Sequence, residues 1–138
     1  LPMNFGDSYT PRPVVGHTPY TDEDIYPYGS VKDQLEDKDS CVNYVKKANL
    51  LRKQLPQLAR GTFEEVYCSQ DDTLVAVKKT YNNESIYVVM NASTSFEANF
   101  SLATIGASKP IAELCTKDFC ELKDGSIKIP TQGIVILK

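Results

Sequence analysis

DSCVNYVKKANLLRKQLPQLARG, residues Asp39–Gly61, joins a helical apolar period to a cap at one end and a proline near the other. Cys41, Tyr44, Val45, Ala48, Leu51 and Leu55 recur at steps of three and four, which places them on one face of an α-helix. Lys46, Lys47, Arg52, Lys53 and Gln54 fall mostly on the other faces. Asp39 or Ser40 can cap the start, because a side-chain oxygen there accepts a free N–H of the first turn. Basic residues crowd the far end and complement the helix dipole. Pro56 ends the helix, since the residue before a proline is pushed out of the helical region. The spacing predicts about 16 helical residues, roughly 25 Å at 1.5 Å per residue.

On the N-terminal side, residues 1–30 hold five of the eight prolines, four of the eight tyrosines, His17 and the acidic step Asp22-Glu23-Asp24. Nothing there is periodic. Residues 1–38 therefore read as a loop-rich arm, with a short helical turn over Val31–Glu36 after Gly29-Ser30. On the C-terminal side, from Thr62, the apolar period changes from about 3.6 to about 2. Phe63, Val66 and Cys68 mark a first strand. LVAVKKTY (Leu74–Tyr81) and SIYVVMN (Ser85–Asn91) form a hairpin about Asn82-Asn83-Glu84, and Asp124-Gly125 signals another. Phe96, Ala98, Phe100 and Leu102 alternate with polar neighbours, and Ile111–Cys115, Cys120–Leu122, Ser126–Ile129 and Gly133–Leu137 complete the set. The expected fold class is mainly β: about seven or eight antiparallel strands in a Greek-key sandwich over 62–138. The arm (1–38) and the helix with its exit loop (39–61) precede it.

The totals exclude several functions. At 138 residues there is room for one ordinary domain plus an arm. A net charge of −3 with no basic cluster argues against nucleic acid as a partner. No apolar run approaches the roughly 20 residues that span a bilayer, so no membrane partner is expected, and no signal peptide opens the chain. A start at Leu1 rather than Met points to a processed piece. Four cysteines and one histidine are too few and too scattered for a zinc site, and no metal or cofactor is expected.

The helix also carries a resemblance. Its cap serine, aromatic, basic turn, Leu51-Arg52-Lys53, proline and glycine exit resemble the last barrel helix of the α-amylase family of glycoside hydrolases. Gly29-Ser30-Val31-Lys32-Asp33-Gln34, with Asp37 and Ser40, is similar to the S-V-x-x-Q-x-x-D-x-x-S run that leads into that helix. Leu1-Pro2-Met3-Asn4-Phe5 resembles the end of the family's R-x-P-M-x-W loop, with Phe5 in place of Trp. The order and spacing of these matches over residues 1–61 carry the likeness; the rest fits the family's C-terminal β-sandwich in pattern.

That likeness implies an enzyme cleaving α-glucosidic bonds in starch or maltodextrins with retention, through carboxylates flanking the bond. The family holds those acids on barrel strands that precede the matched region, so no catalytic residue is named here. Asp22, Glu23 and Asp24, like Glu64-Glu65 and Asp71-Asp72, read as solvated charges. His17 reads as a loop histidine. Tyr9, Tyr20, Tyr26 and Tyr28 are the substrate-binding candidates, since a flat ring suits the apolar face of a pyranose; anchoring the arm is their alternative role. Asn83-Glu84-Ser85, Asn91-Ala92-Ser93 and Asn99-Phe100-Ser101 fit the glycosylation sequon but are read as unmodified, because the resemblance points to bacterial members. Cys41 and Cys68 read as small buried hydrophobes. Cys115 and Cys120 are read as reduced, with a disulfide across the turn as the alternative.

The resulting reading is a non-catalytic C-terminal piece whose partner is the catalytic barrel of the same enzyme, outside the cell or at its surface. The structural helix face is Tyr44, Val45, Ala48, Leu51 and Leu55, which two chains could also pair as a homodimer. A free-standing α-glucan-binding module is the alternative, and an unrelated sandwich interaction domain a third reading. The chain alone is expected to show no turnover of starch, maltooligosaccharides or nitrophenyl glucosides. Activity above a matched blank that survives repurification would overturn this.

Overall fold

The computed structural model describes residues 29–116 and 118–138. Three helices open it: α1 (Val31–Glu36), α2 (Cys41–Gln54) and α3 (Pro56–Arg60). Eight strands follow: β1 (Thr62–Cys68), β2 (Leu74–Tyr81), β3 (Glu84–Asn91), β4 (Ala98–Ser101), β5 (Pro110–Leu114), β6 (Glu121–Lys123), β7 (Ser126–Ile129) and β8 (Ile134–Leu137). The chain divides within α2 into two units, 1–46 and 47–138.

In the first unit the polar residues of the 30–40 run act as caps. Ser30 and Asp33 form a capping box on α1: the Asp33 N–H donates to Ser30 Oγ (3.1 Å) and the Ser30 N–H to Asp33 Oδ2 (3.0 Å). Ser40 caps α2, accepting the Asn43 N–H at 3.2 Å, while its hydroxyl donates to the Gln34 carbonyl. The Asn43 amide reaches back to the carbonyls of Gln34, Leu35 and Asp37 at 3.0, 3.1 and 2.8 Å, filling acceptors that the end of α1 leaves open.

In the second unit, Pro56 both stops α2 and starts α3, where its missing N–H is one the first turn does not use. The expected exit loop is thus helical over Pro56–Arg60, and α3 packs on β2 and β3. Gly61 ends it. A Cβ there would stand 2.5 Å from the Gln57 carbonyl oxygen, so the close turn onto β1 admits only glycine.

The strands form a five-stranded sheet, β1-β2-β3-β8-β5, and a three-stranded sheet, β4-β7-β6, all pairs antiparallel. The β2–β3 and β6–β7 hairpins turn on residues with positive φ: Asn82 (51°) and Asn83 (63°), then Asp124 (50°) and Gly125 (74°). Two such residues in succession match the twist of the strands they join. β5, β6 and β7 follow one another and β8 returns beside β5, the fourth-beside-first order of a Greek key spread over two sheets.

Between the sheets lie Leu74, Ala76, Val89, Val135 and Leu137 from the larger one and Phe100, Ile127 and Ile129 from the smaller, with Leu102 beside them. Tyr67 of β1 meets Phe100 of β4 edge to face, ring centroids 5.3 Å apart, and so joins the two sheets. The other face of the large sheet is also apolar: Val77 pairs with Val88, Val88 with Ile136, and all three are buried.

Asn91 is the polar member of the inter-sheet layer. It is buried, and its Nδ2 donates to the carbonyls of Phe96 (3.0 Å), Ile129 (3.3 Å) and Pro130 (3.0 Å) while Oδ1 accepts the Ser93 N–H at 3.0 Å. A side chain so engaged offers no acceptor for a glycan in the folded state. Replacement by leucine takes this partner from the buried Ile129 and Pro130 carbonyls and the Ser93 N–H, and each buried orphan costs about 1–3 kcal/mol. Asn91→Leu is therefore expected to lose about 3 kcal/mol or more in urea denaturation, and exposed Asn99→Leu within about 0.5 kcal/mol. Equal losses would remove the clamp.

Candidate functional site

The structure offers three places where chemistry or recognition could reside. The first is the apolar face of α2. Tyr44, Ala48, Leu51 and Leu55 are half-exposed, Val45 is 48% exposed and Cys41 is exposed; no residue of α2 is buried. Leu50, off the expected stripe, is 54% exposed. No helix among the described residues is long and apolar enough to cross a membrane. Tyr9, Tyr20, Tyr26 and Tyr28, with His17 and Asp22-Glu23-Asp24, lie outside the described residues.

The second is a cleft of about 360 Å³ in the second unit, where Leu55, Pro56 and Gln57 face Tyr81, Glu84 and Ile86. Gln57 is buried. Its Nε2 donates to Glu84 Oε2 at 3.1 Å, and its Oε1 has no hydrogen-bond partner among the described residues. Tyr81 and Glu84 reach the cleft because they pair across the end of the β2–β3 hairpin and share the face on which α3 lies.

The third is a cluster that the sequence reading judged too scattered to exist. Glu113, Cys115 and Cys120 bring one oxygen and two sulfurs within 4.8 Å of one another. Glu113 pairs with Val135 and so shares the inward face of β5, while Cys120 directly precedes β6 on the facing sheet. Spacing along the chain brings the two cysteines together across a turn but does not add Glu113, which the pairing of β5 with β8 places beside them. Both thiols are reduced, with sulfurs 3.8 Å apart, and Glu113 Oε2 accepts the Cys120 N–H at 2.8 Å. The two thiols share a hydrogen bond. That contact, helped by the Ile134 N–H and opposed by burial, draws the Cys115 thiol below its ordinary range. The same contact, then burial and the negative charge of Cys115, holds the proton on Cys120.

No pair of acids is set out for glycoside cleavage among the described residues whose titration is displaced. Asp33 is lowered, first by the hydroxyl of Ser30, and Asp71, first by the hydroxyl of Ser69; both are held ionised, opposite to a general acid.

Cys41 and Cys68 are exposed, which corrects the expectation that both are buried. Cys68 ends β1, a strand at the margin of its sheet whose residues are exposed or half-exposed, so the strand period there does not report a core. Its S–H donates to Asp72 Oδ1 at 3.3 Å, and that carboxylate, followed by burial, raises the thiol pKa. A raised thiol pKa delays the reactive thiolate to higher pH. The pH profile of Cys68 alkylation, read by mass spectrometry, should therefore move down in Asp72→Asn; an unmoved profile would show that the contact does not govern the thiol.

No family profile and no curated protein matches the sequence. Solved structures do. The chain is similar to Eubacterium rectale Amy13B at 30% identity and TM-score 0.71, over 80% of this chain and 22% of that one. It matches an isomaltulose synthase from Klebsiella sp. LX3 at 21% identity and TM-score 0.61, over 82% and 20% of the two chains. An alpha-amylase from H. orenii matches at 17% identity and TM-score 0.60, over 86% and 24%. The chain thus spans about a fifth of each of these proteins. A capped helix entering a two-sheet Greek-key sandwich, matched over four fifths of its length, makes this chain the counterpart of a part of α-amylase family enzymes.

Proposed function

We propose that this chain is the non-catalytic C-terminal part of an enzyme that hydrolyses α-glucosidic bonds in starch or maltodextrins, and that it serves by packing on the catalytic barrel. The observation that carries this reading is the apolar face of α2, Tyr44, Val45, Ala48 and Leu51, continued by Leu55 just after the helix, none of which is buried. An apolar helical stripe needs cover, and contiguous bare apolar area of a few hundred Å² is rare on a monomer. The sandwich does not depend on that cover, since the large sheet has apolar residues on both faces and α3 lies on β2 and β3. The 30% identity to Amy13B over most of this chain supports the same assignment.

The test is a chimera in which this chain replaces the matching segment of Amy13B. In the chimera, Leu51→Asp should lower stability by several kcal/mol, about the penalty of an unpaired charge in an apolar contact. Lys47→Asp should stay within about 0.5 kcal/mol, as an exposed change does. In the isolated chain the two variants should differ by only about 1 kcal/mol, because nothing covers Leu51 fully. Equal effects in the chimera would remove the docking role. The isolated chain should also stay in the supernatant when spun with insoluble starch; co-sedimentation would favour an α-glucan-binding module instead.

A further inference from the structure

We propose that Cys115, Cys120 and Glu113 form a site for a thiophilic divalent cation of the zinc class, at the edge where the two sheets meet. Two thiolates on a tetrahedral zinc ion, each at about 2.3 Å, stand about 3.8 Å apart. The Cys115 and Cys120 sulfurs stand 3.8 Å apart already, with a Glu113 oxygen inside the same 4.8 Å group. Sulfur, sulfur and carboxylate oxygen is a donor set that suits zinc and its soft neighbours rather than calcium or magnesium.

The ligands are also held in place. β5 is laddered to β8 through Glu113 and Val135, and β6 to β7 through Glu121 and Lys128. The Cys120 N–H fixes the Glu113 carboxylate at 2.8 Å, the kind of outer contact that orients a metal-binding oxygen. A pocket of about 200 Å³, lined by Glu113, Cys120, Ile127 and Val135, leaves room for water as a fourth ligand. A carboxylate turned toward an apolar layer otherwise has little reason to sit there, though on a marginal strand it also discourages edge pairing. The cation adds the reason that the two cysteines also stand there. The inference is independent of the hydrolase reading.

The chain carrying Cys41→Ser and Cys68→Ser, kept under a phosphine reductant, is titrated with Co²⁺ as a spectroscopic probe. One Co²⁺ per chain is expected, with thiolate charge-transfer absorption and intense tetrahedral visible bands, displaced by Zn²⁺. Cys115→Ser and Cys120→Ser should each weaken binding by more than about 100-fold. Glu113→Gln should weaken it by about 10-fold and keep the thiolate band. Circular dichroism confirms that each variant is folded, and the spectrum with both sulfurs intact decides the matter without them. A weak octahedral spectrum, binding unchanged by Cys115→Ser, or a Cys115–Cys120 disulfide that the reductant does not open would each overturn the proposal.

Discussion

The structure depends on closing two unequal sheets over one apolar layer without leaving a buried polar group unpaired. Asn91 solves this at one end. Three carbonyls at its Nδ2 and one N–H at its Oδ1 bind the end of β3 to the segment before β4 and to the end of β7. These backbone groups lie in a loop and at the end of β7, and a side-chain amide with two donors and an acceptor can bridge them. The Tyr67–Phe100 contact and the row Ala76, Val89, Val135 then fill the space the clamp defines. Burying each large aliphatic side chain there contributes roughly 1.5–3 kcal/mol, so the layer supplies the driving force and the amide supplies the register.

The larger sheet is apolar on both faces, and this is what allows two helices to take different roles. α3 uses the outer face: it packs on β2 and β3, and Gln57 binds Glu84 on that face. α2 ends at Gln54, before Pro56 opens α3, and none of its residues is buried. Ser40 caps the start of α2, and its apolar face is half-buried at Tyr44, Ala48 and Leu51 and exposed at Val45.

Much of the architecture was legible in the chain. Asn82-Asn83 and Asp124-Gly125 supply successive positive-φ residues, which fix two hairpins and, through them, the alternation of β2, β3, β6 and β7. The helical period and Ser40 gave α2 its start and its end within a residue or two. The errors share one cause, that local pattern is silent about neighbours. Pro56 read as a stop, although a proline that closes one helix is equally able to open the next. Cys68 read as core because it follows the strand period, but β1 lies at the margin of the sheet. The apolar face of α2 was visible in sequence; how far each of its members is buried was not.

The Glu113, Cys115 and Cys120 cluster is the clearest case of a feature that topology creates. In sequence the two cysteines flank a turn and the glutamate is an ordinary strand residue. The turn, however, carries the chain from the edge of one sheet to the edge of the other, and β8 returning beside β5 fixes which side of β5 Glu113 presents. β5 and β6 are consecutive strands that belong to different sheets and share no backbone ladder. Along that seam contacts that involve side chains hold the edges together. At one end of the layer an amide does so through neutral hydrogen bonds; at the β5–β6 seam the groups are acidic and soft, held by the Cys115–Cys120 thiol contact and by the Cys120 N–H donating to Glu113. A cation that displaces the thiol protons of both Cys115 and Cys120 would join the edges more strongly, because coordination ties all three side chains at once.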